Sequence, residues 1–356
     1  MIRLFRASNF RCLESIEVEF APIFNLIHGA NASGKTSLLE ALGYLGRGKS
    51  FRGAPTQALL RHGCDEFVLY GETLVDGRKH RLGVRNSRAG LEVRVDGASD
   101  TGVAGLAEAL PLLVIDPEVH NLVAGGPEQR RRYLDWVAFH VEHGHLEAWR
   151  RFRRTLKQRN AALRAGQSKA AIRSWDAEFL LQGQALDASR RRALAAAREH
   201  LEARGLSLLG TTLGFEYQQG WARDRALDAA LADGLDRDLE LGSTQHGPHR
   251  ADLKVSYDER QARKLVSRGQ QKLLASAMVL AAADAAQGAL GRPLLLLLDD
   301  PAAELDRDSL GRLMAAVHDL GSQVVATSLD PDALEAPPGS AMFHVEQGVL
   351  SAEPSR

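Results

Sequence analysis

Cysteine is almost missing from this chain of 356 residues: Cys12 and Cys64 are the only two. Neither sits in a CxxC or Cys/His ligand spacing, which excludes a disulfide scaffold and a zinc ribbon and fits a reduced, cytoplasmic protein. Net charge is missing as well. Forty-five basic residues face forty-five acidic ones, so any nucleic-acid surface has to be a local patch. A long unbroken apolar run is also lacking. The longest, Leu273 to Leu290, is interrupted by Asp284 and Gln287 and reads as a buried helix, not a membrane span. The opening Met1-Ile2-Arg3-Leu4-Phe5-Arg6 has charges among its apolar residues, so it reads as an alternating strand and not as a signal peptide or anchor.

What is present is an ordinary globular composition, 44% hydrophobic and 25% charged, long enough for two domains or one large domain carrying an insertion. Short β-type runs recur at Ile16 to Phe20, Ile23 to Ile27, Phe67 to Val75, Leu91 to Val95 and Leu112 to Ile115. From Pro127 to about Ala203 the sequence turns Arg- and Ala-rich, with apolar residues at helical spacing such as Leu156, Leu163, Phe179 and Leu180. Strand patterns return at Leu253 to Tyr257, Leu294 to Leu298, Val324 to Thr327 and Met342 to Val345. The expectation is an α/β head formed by residues 1–120 and 245–356, with residues 121–244 inserted as a helical arm. Charge is uneven along this plan. Residues 128–164 hold ten Lys/Arg against four Asp/Glu, whereas 293–356 holds three against eleven.

Gly29-Ala30-Asn31-Ala32-Ser33-Gly34-Lys35-Thr36 fits the phosphate-binding pattern G-x-x-x-x-G-K-[ST], with an apolar strand before it and the helical run Ser37 to Leu45 after it. Glycines at both ends let the backbone curl so that N–H groups face phosphate oxygens at a helix N-terminus. Lys35 adds a mobile cation and Thr36 a hydroxyl ligand for magnesium. ATP and Mg²⁺ are the expected ligands, with residues 29–37 (Gly29 through Ser37) lining the nucleotide site.

Leu294 to Leu298 followed by Asp299-Asp300 reads as an apolar strand, buried on both faces, that ends in two carboxylates. Asp299 is expected to hold the metal, and Asp300 to polarise the attacking water as a catalytic group. Helix capping is the plainer alternative for both. Ser267-Arg268-Gly269-Gln270 opens the apolar helical stretch from Leu273, where Ser267 is placed to cap. The succession of phosphate loop, S-x-G-Q, apolar strand with Asp-Asp, then Ala303-Glu304-Leu305-Asp306 is that of an ABC-type P-loop ATPase head. In that class the signature serine reaches the γ-phosphate held by the opposite subunit, so Ser267 is a third catalytic candidate and an ATP-dependent homodimer is expected.

Weaker features remain. His140, His143 and His145 lack a carboxylate or cysteine pattern and read as a solvated helix face, so no metal beyond magnesium is assigned. The basic residues Arg130 to Arg132, Arg150, Arg151, Arg153, Arg154, Lys157 and Arg159 could contact DNA phosphates or simply be solvated. Phe139, Trp149 and Phe152 among them are better explained by core packing than by base stacking.

Taken together the residues resemble the RecF family of recombination and gap-repair ATPases, related to the SMC class. The resemblance runs nearly end to end. It is carried by Asn9-Phe10-Arg11, Gly29 to Thr36 leading into Glu40-Ala41-Leu42, Lys49-Ser50-Phe51-Arg52, Gly125-Gly126-Pro127 with Arg130-Arg131-Arg132-Tyr133-Leu134-Asp135, Gly247-Pro248-His249-Arg250-Ala251-Asp252-Leu253, Ser267 to Lys272 and Leu298 to Asp306. It implies ATP-dependent dimerisation on double-stranded DNA, including single-strand/double-strand junctions, and a role with RecO and RecR in directing RecA to gaps. It also implies weak, DNA-stimulated ATP hydrolysis in the cytoplasm, with no membrane partner. Asp300 stands where transporters carry glutamate, and Thr327-Ser328 where they often carry a histidine, which suits a slow switch. No Q-loop glutamine is evident; Asp116-Pro117-Glu118 occupies its region. Two alternatives are the nucleotide-binding subunit of a transporter and a kinase using the phosphate loop alone. The basic insertion argues against the first, and the S-x-G-Q segment against the second.

Overall fold

The computed structural model describes all residues except Asp76, Asp100, Asp258, Glu259, Arg263 to Leu265, Glu304 and Pro354 to Arg356. It divides into two compact units, Met1–Val119 with Gly291–Arg356, and His120–Leu290. The second unit therefore includes residues 245–290, which the strand and helix alternation assigns to the head.

Strands are numbered β1 to β14 along the chain. In the first unit, β1 (Ile2–Phe10), β2 (Leu13–Glu19), β4 (Glu66–Val75), β5 (Arg78–Ser87) and β6 (Gly90–Val95) form an antiparallel sheet in the order β2-β1-β4-β5-β6. A second sheet runs β14-β13-β3-β12-β11-β7, from β3 (Phe24–His28), β7 (Leu112–Ile115), β11 (Leu295–Leu298), β12 (Gln323–Ser328), β13 (Ala341–Glu346) and β14 (Val349–Glu353). All its pairs are parallel except the edge pair β13/β14. The leucine run is explained by position: β11 lies inside this sheet and all four of its residues are buried, as expected of a strand covered on both faces.

Helix Lys35–Arg47 lies between the two sheets. Ten of its thirteen residues are buried, and Leu38, Leu39, Leu42 and Leu45 share one core with Phe5 and Leu69 of the first sheet and Ile27, Leu297 and Val325 of the second. A helix wrapped by apolar surface on two sides needs apolar residues on most of its circumference. Gln323, at the start of β12, fastens the two sheets to each other at the start of β1: its amide accepts from Ile2 N at 2.8 Å and donates to Ile2 O at 2.8 Å.

The second unit is mainly helical, with Pro127–Val141, His145–Arg164, Lys169–Arg173, Asp176–Leu209, Leu227–Leu241 and Arg268–Leu290, and a small sheet ordered β10-β9-β8 from β8 (Leu213–Gln218), β9 (Asp252–Tyr257) and β10 (Arg260–Gln261). Among the described residues, Arg268–Leu290 alone is long and apolar enough to cross a membrane, and its apolar window is 72% buried inside the protein. It is a core helix, as its interrupting Asp284 suggests; that carboxylate pairs with Arg204 at 2.8 and 2.9 Å.

Ion pairs of this kind recur through the unit. Arg159 is wholly buried and bonded to Asp176, Asp238 and Thr244, and Arg190 grips Asp135 with two bonds while donating to Pro248 O. Beside that pair His145, buried, shares a 2.7 Å bond with Ser189. His140 is buried against Trp136 and Phe139, so two of the three clustered histidines are not solvated, contrary to the sequence expectation. Arginine emerging from an apolar helix face requires such carboxylates, because an unpaired buried charge costs several kcal/mol.

Burial pushes the His145 imidazole down to about 4, the Asp135 carboxylate only partly offsetting it. A histidine that resists protonation when folded but accepts it when unfolded contributes stability that is intact above pH 6.5 and lost as pH falls toward 4. His145→Asn should therefore flatten the acid limb of the stability curve, wild type losing on the order of 2 kcal/mol more than the variant between pH 6.5 and 4. Urea titrations across that range check it; parallel curves would contradict it.

Candidate functional site

The parallel sheet sets its strand ends side by side. β12 pairs with β3 through Ser328 and His28, and β11 pairs with β7 through Leu298 and Ile115. The residues that follow each strand, Gly29, Asp299 and Asp116, thus open onto one crevice at the carboxyl end of the sheet, where ligands collect in α/β proteins.

The loop after β3 depends on its two glycines. Gly29 has φ 152° and a side chain there would strike Val345 O at 2.3 Å; Gly34 has φ 119° and a Cβ would lie 3.2 Å from Cys12 Sγ. Ala32 also takes a left-handed φ of 61°. The loop curls into the N-terminus of helix Lys35–Arg47, whose first N–H groups have no partners within the helix. Lys35 Nζ donates to Gly29 O at 2.7 Å and Ala30 O at 2.8 Å, and burial lowers its pKa despite the charges of Asp300 and Asp299. Ser33 Oγ is buried in the loop without a hydrogen-bond partner. Asn31 and Ala30 are exposed at the loop's crest, and Ser37 Oγ contacts Cys12 Sγ at 3.5 Å.

Thr36 and Asp299 meet across the crevice: Thr36 Oγ1 donates to Asp299 Oδ1 at 2.9 Å. Thr327, at the end of β12, contributes a second hydroxyl. Its Oγ1 donates to the same Oδ1 at 2.9 Å and accepts from Asp300 N at 2.9 Å. Asp300 has φ 48°, so the turn that aims it is strained and held by this contact. Asp116 stands beside Asp299, and its carboxyl is raised to about 6, by burial first and the Asp299 charge second. The sequence places Thr327 where transporters often carry a histidine and Asp116 in the region of the Q-loop, but shows neither of these contacts with Asp299 and Asp300. The capping alternative fails for Asp299, whose carboxylate is taken by two hydroxyls. Capping of helix Arg307–Asp319 falls to Asp306, which accepts from Ser309 N at 2.8 Å. Glu304 lies outside the described residues.

Ser267 belongs to the other compact unit. It is exposed and caps helix Arg268–Leu290 reciprocally: Ser267 Oγ accepts from Gln270 N, and Gln270 Oε1 accepts from Ser267 N. A side chain at Gly269 would meet open space, so packing within the chain gives no reason for glycine there.

The motif Arg130 to Asp135 meets the motif Gly247 to Leu253. Arg130 is buried and bonds Asp252 at 2.7 and 3.1 Å, and Arg131 donates to Ala251 O. Arg130 and Arg159 are therefore structural ions, a correction to their place among the candidate DNA contacts. Arg150, Arg151, Arg153, Arg154 and Lys157 remain exposed on helix His145–Arg164, while Ala148, Phe152, Thr155 and Ala162 of the same helix are buried. Phe152 and Trp149 pack in the core as expected, the Trp149 ring also carrying the Arg153 guanidinium at 4.7 Å.

A family model described as the RecF/RecN/SMC N terminal domain matches residues 1–350. DNA replication and repair protein RecF of Edwardsiella ictaluri is 39% identical over 350 residues, covering 96% of this chain and 97% of that protein. The chain belongs to the RecF family. RecF of Chromohalobacter salexigens is 41% identical over 351 residues, again 96% of this chain and 97% of that one. Membership places the chain among the ABC/SMC-type ATPases of DNA replication and repair. A solved structure of the recombination mediator RecF bound to ATP has a TM-score of 0.90 at 24% identity, covering 99% of this chain and 97% of that one. An Smc head bound to the C-winged helix domain of ScpA has a TM-score of 0.59 at 14% identity, with 99% and 97% covered. Both share the fold, an α/β head of ABC type with a helical insertion.

The RecF-type crevice makes one hydroxyl serve two aspartates. Thr327→Val keeps the shape but removes the bond to Asp299 and the acceptor for Asp300 N, and should cost about 1 to 3 kcal/mol. A thermal melt unchanged by the substitution would show that the hydroxyl does not hold the turn.

Proposed function

We propose that this chain is an ATP-driven DNA-binding switch of recombinational repair that closes as a homodimer on double-stranded DNA and opens on slow hydrolysis. The observation that carries the reading is the crevice itself. The N-terminus of helix Lys35–Arg47, the partnerless Ser33 hydroxyl, the Lys35 ammonium and the Thr36–Asp299 oxygen pair converge on one place, and together they suit a nucleoside triphosphate with a divalent cation. Gly29 to Ser37 cradle the phosphates. The hydrogen bonds that Lys35 gives up when it moves onto the β and γ phosphates go to the backbone carbonyls of Gly29 and Ala30. Thr36 Oγ1 and Asp299 offer magnesium the hard oxygen ligands it prefers, and the bound ion supplies neutralisation of charge on the transferring phosphate. Asp300, held by the Thr327 contact, orients the attacking water.

Ser267 completes the site of the other subunit. Its exposed position at a helix N-terminus and the open space over Gly269 leave room for a γ-phosphate carried by a partner. The exposed stripe from Arg150 to Lys157 supplies phosphate contacts for DNA, single-strand/double-strand junctions included. Cytoplasmic work with RecO and RecR to direct RecA to gaps follows from the family rather than from any contact seen here. Family membership and the basic helix both favour this reading over a transporter subunit.

The direct test is light scattering of the pure protein, which should show ATP-dependent dimers, with hydrolysis stimulated by double-stranded DNA. Asp300→Asn should still bind ATP and accumulate as dimer, its turnover reduced by ~10²-fold or more. Normal turnover in that variant would remove Asp300 from the chemistry.

Neutralising Arg150, Arg153, Arg154 and Lys157 together should weaken DNA binding similarly across sequences and reduce the salt slope by roughly one per lost phosphate contact. Filter binding at several salt concentrations reads this. An unchanged slope would mean that the stripe is solvated and that DNA lies elsewhere.

A further inference from the structure

The second unit holds a groove of about 390 Å³ lined by one face of helix Asp176–Leu209 (Arg191, Leu194, Ala195, Arg198), by Phe215 to Tyr217 of β8, and by Arg223. Among the described residues β8 is the end strand of its sheet, paired with β9 alone. Leu253 faces Tyr217 in the register, and its N–H donates to Asp252 Oδ1 at 2.8 Å. In an antiparallel pair alternate residues turn their N–H and C=O groups away from the partner strand; Arg223 meets Tyr217 O at 3.5 Å, which puts Tyr217, and Phe215 two residues before it, in the outward-facing set. The groove thus combines an open strand edge, an apolar floor from Leu194, Ala195 and Phe215, and three guanidinium groups against the single carboxylate of Glu216. Arg191 is engaged with Asp187 and Gln219 and Arg223 with Glu216. Arg198 is exposed and has no partner among the described residues.

We propose that this groove is a docking site for an extended acidic peptide of a partner protein, which adds a strand to the free edge of β8 and places carboxylates on Arg198 and Arg223. Main-chain bonding at the edge supplies affinity and the flanking side chains supply selectivity, the usual division of labour when a peptide extends a sheet. A nucleic-acid strand suits the groove less well. The Tyr217 ring is covered by the Arg191 guanidinium at 5.1 Å and Tyr217 itself is buried, so no bare aromatic face is offered to it, and Glu216 opposes a phosphate.

The test uses the full-length protein and fluorescein-labelled octapeptides in which Asp or Glu alternates with Leu, Val or Phe, read by anisotropy. These should bind saturably, while the matching Lys-containing set should not. A central proline, which removes a strand N–H, should weaken binding about tenfold or more, and Arg198→Glu should do the same. Ala195→Trp, filling the floor without altering charge, should also block the peptides; both substituted positions are exposed, and an unchanged melting temperature confirms folding. Failure of the acidic set to bind, indifference to proline, or indifference to Arg198→Glu would overturn the proposal. So would an oligo(dT) 12-mer that binds in place of the peptides and is lost on Arg198→Glu.

Discussion

Parallel strand register is the constraint on which the rest of the structure depends. Because β3, β12, β11 and β7 run side by side in one direction, segments separated by up to some three hundred residues of sequence deliver their next residues to a single edge. The phosphate loop, Asp299 with Asp300, and Asp116 are those residues, and Thr327 joins them from within the end of β12. The helix that follows the loop can be clamped between two sheets because it is apolar on most sides, and that clamp fixes the direction of its N-terminus. Side-chain chemistry then acts locally: one threonine hydroxyl binds a carboxylate and the backbone of the next residue, so both aspartates are aimed by the same contact.

Much of this was legible because the informative residues obey strong local rules. A loop that must adopt left-handed torsions at Gly29 and Gly34 announces itself by glycine, and a strand buried on both faces announces itself by five consecutive leucines. Thr327 and Asp116 were harder to read. Nothing local distinguishes a strand-ending threonine that bonds two aspartates from one that satisfies its own backbone; only the strand order reveals the difference, and strand order is a property of distant pairing. The free edge of β8 was hidden for the same reason.

Arg130 and Arg159 teach a different lesson. Charge counting treated them as equivalent to Arg150 and Arg154, yet Arg159 falls on the three- and four-residue progression of Ala148, Phe152, Thr155 and Ala162, the buried stripe of its helix. That periodicity is legible in the sequence and decides burial here ahead of residue type. The carboxylates that make burial tolerable, Asp176 and Asp238 for Arg159 and Asp252 for Arg130, lie 17, 79 and 122 positions away, beyond any local pattern. These pairs also explain why two of the family's motifs occur together: Arg130-Arg131 and Ala251-Asp252 hold each other.

In the dimer proposed above, each nucleotide site is shared between two subunits, the phosphate loop of one and Ser267 of the other. Mixing a Lys35→Met chain with a Ser267→Arg chain measures this most directly, since each alone lacks one half of every site while the mixed dimer has one site with both halves intact. DNA-stimulated ATP hydrolysis should be absent from either variant alone and return in the mixture, to no more than about half the wild-type rate per dimer if the two sites act independently. Full activity of Ser267→Arg by itself would contradict the account and leave Ser267 as a helix cap.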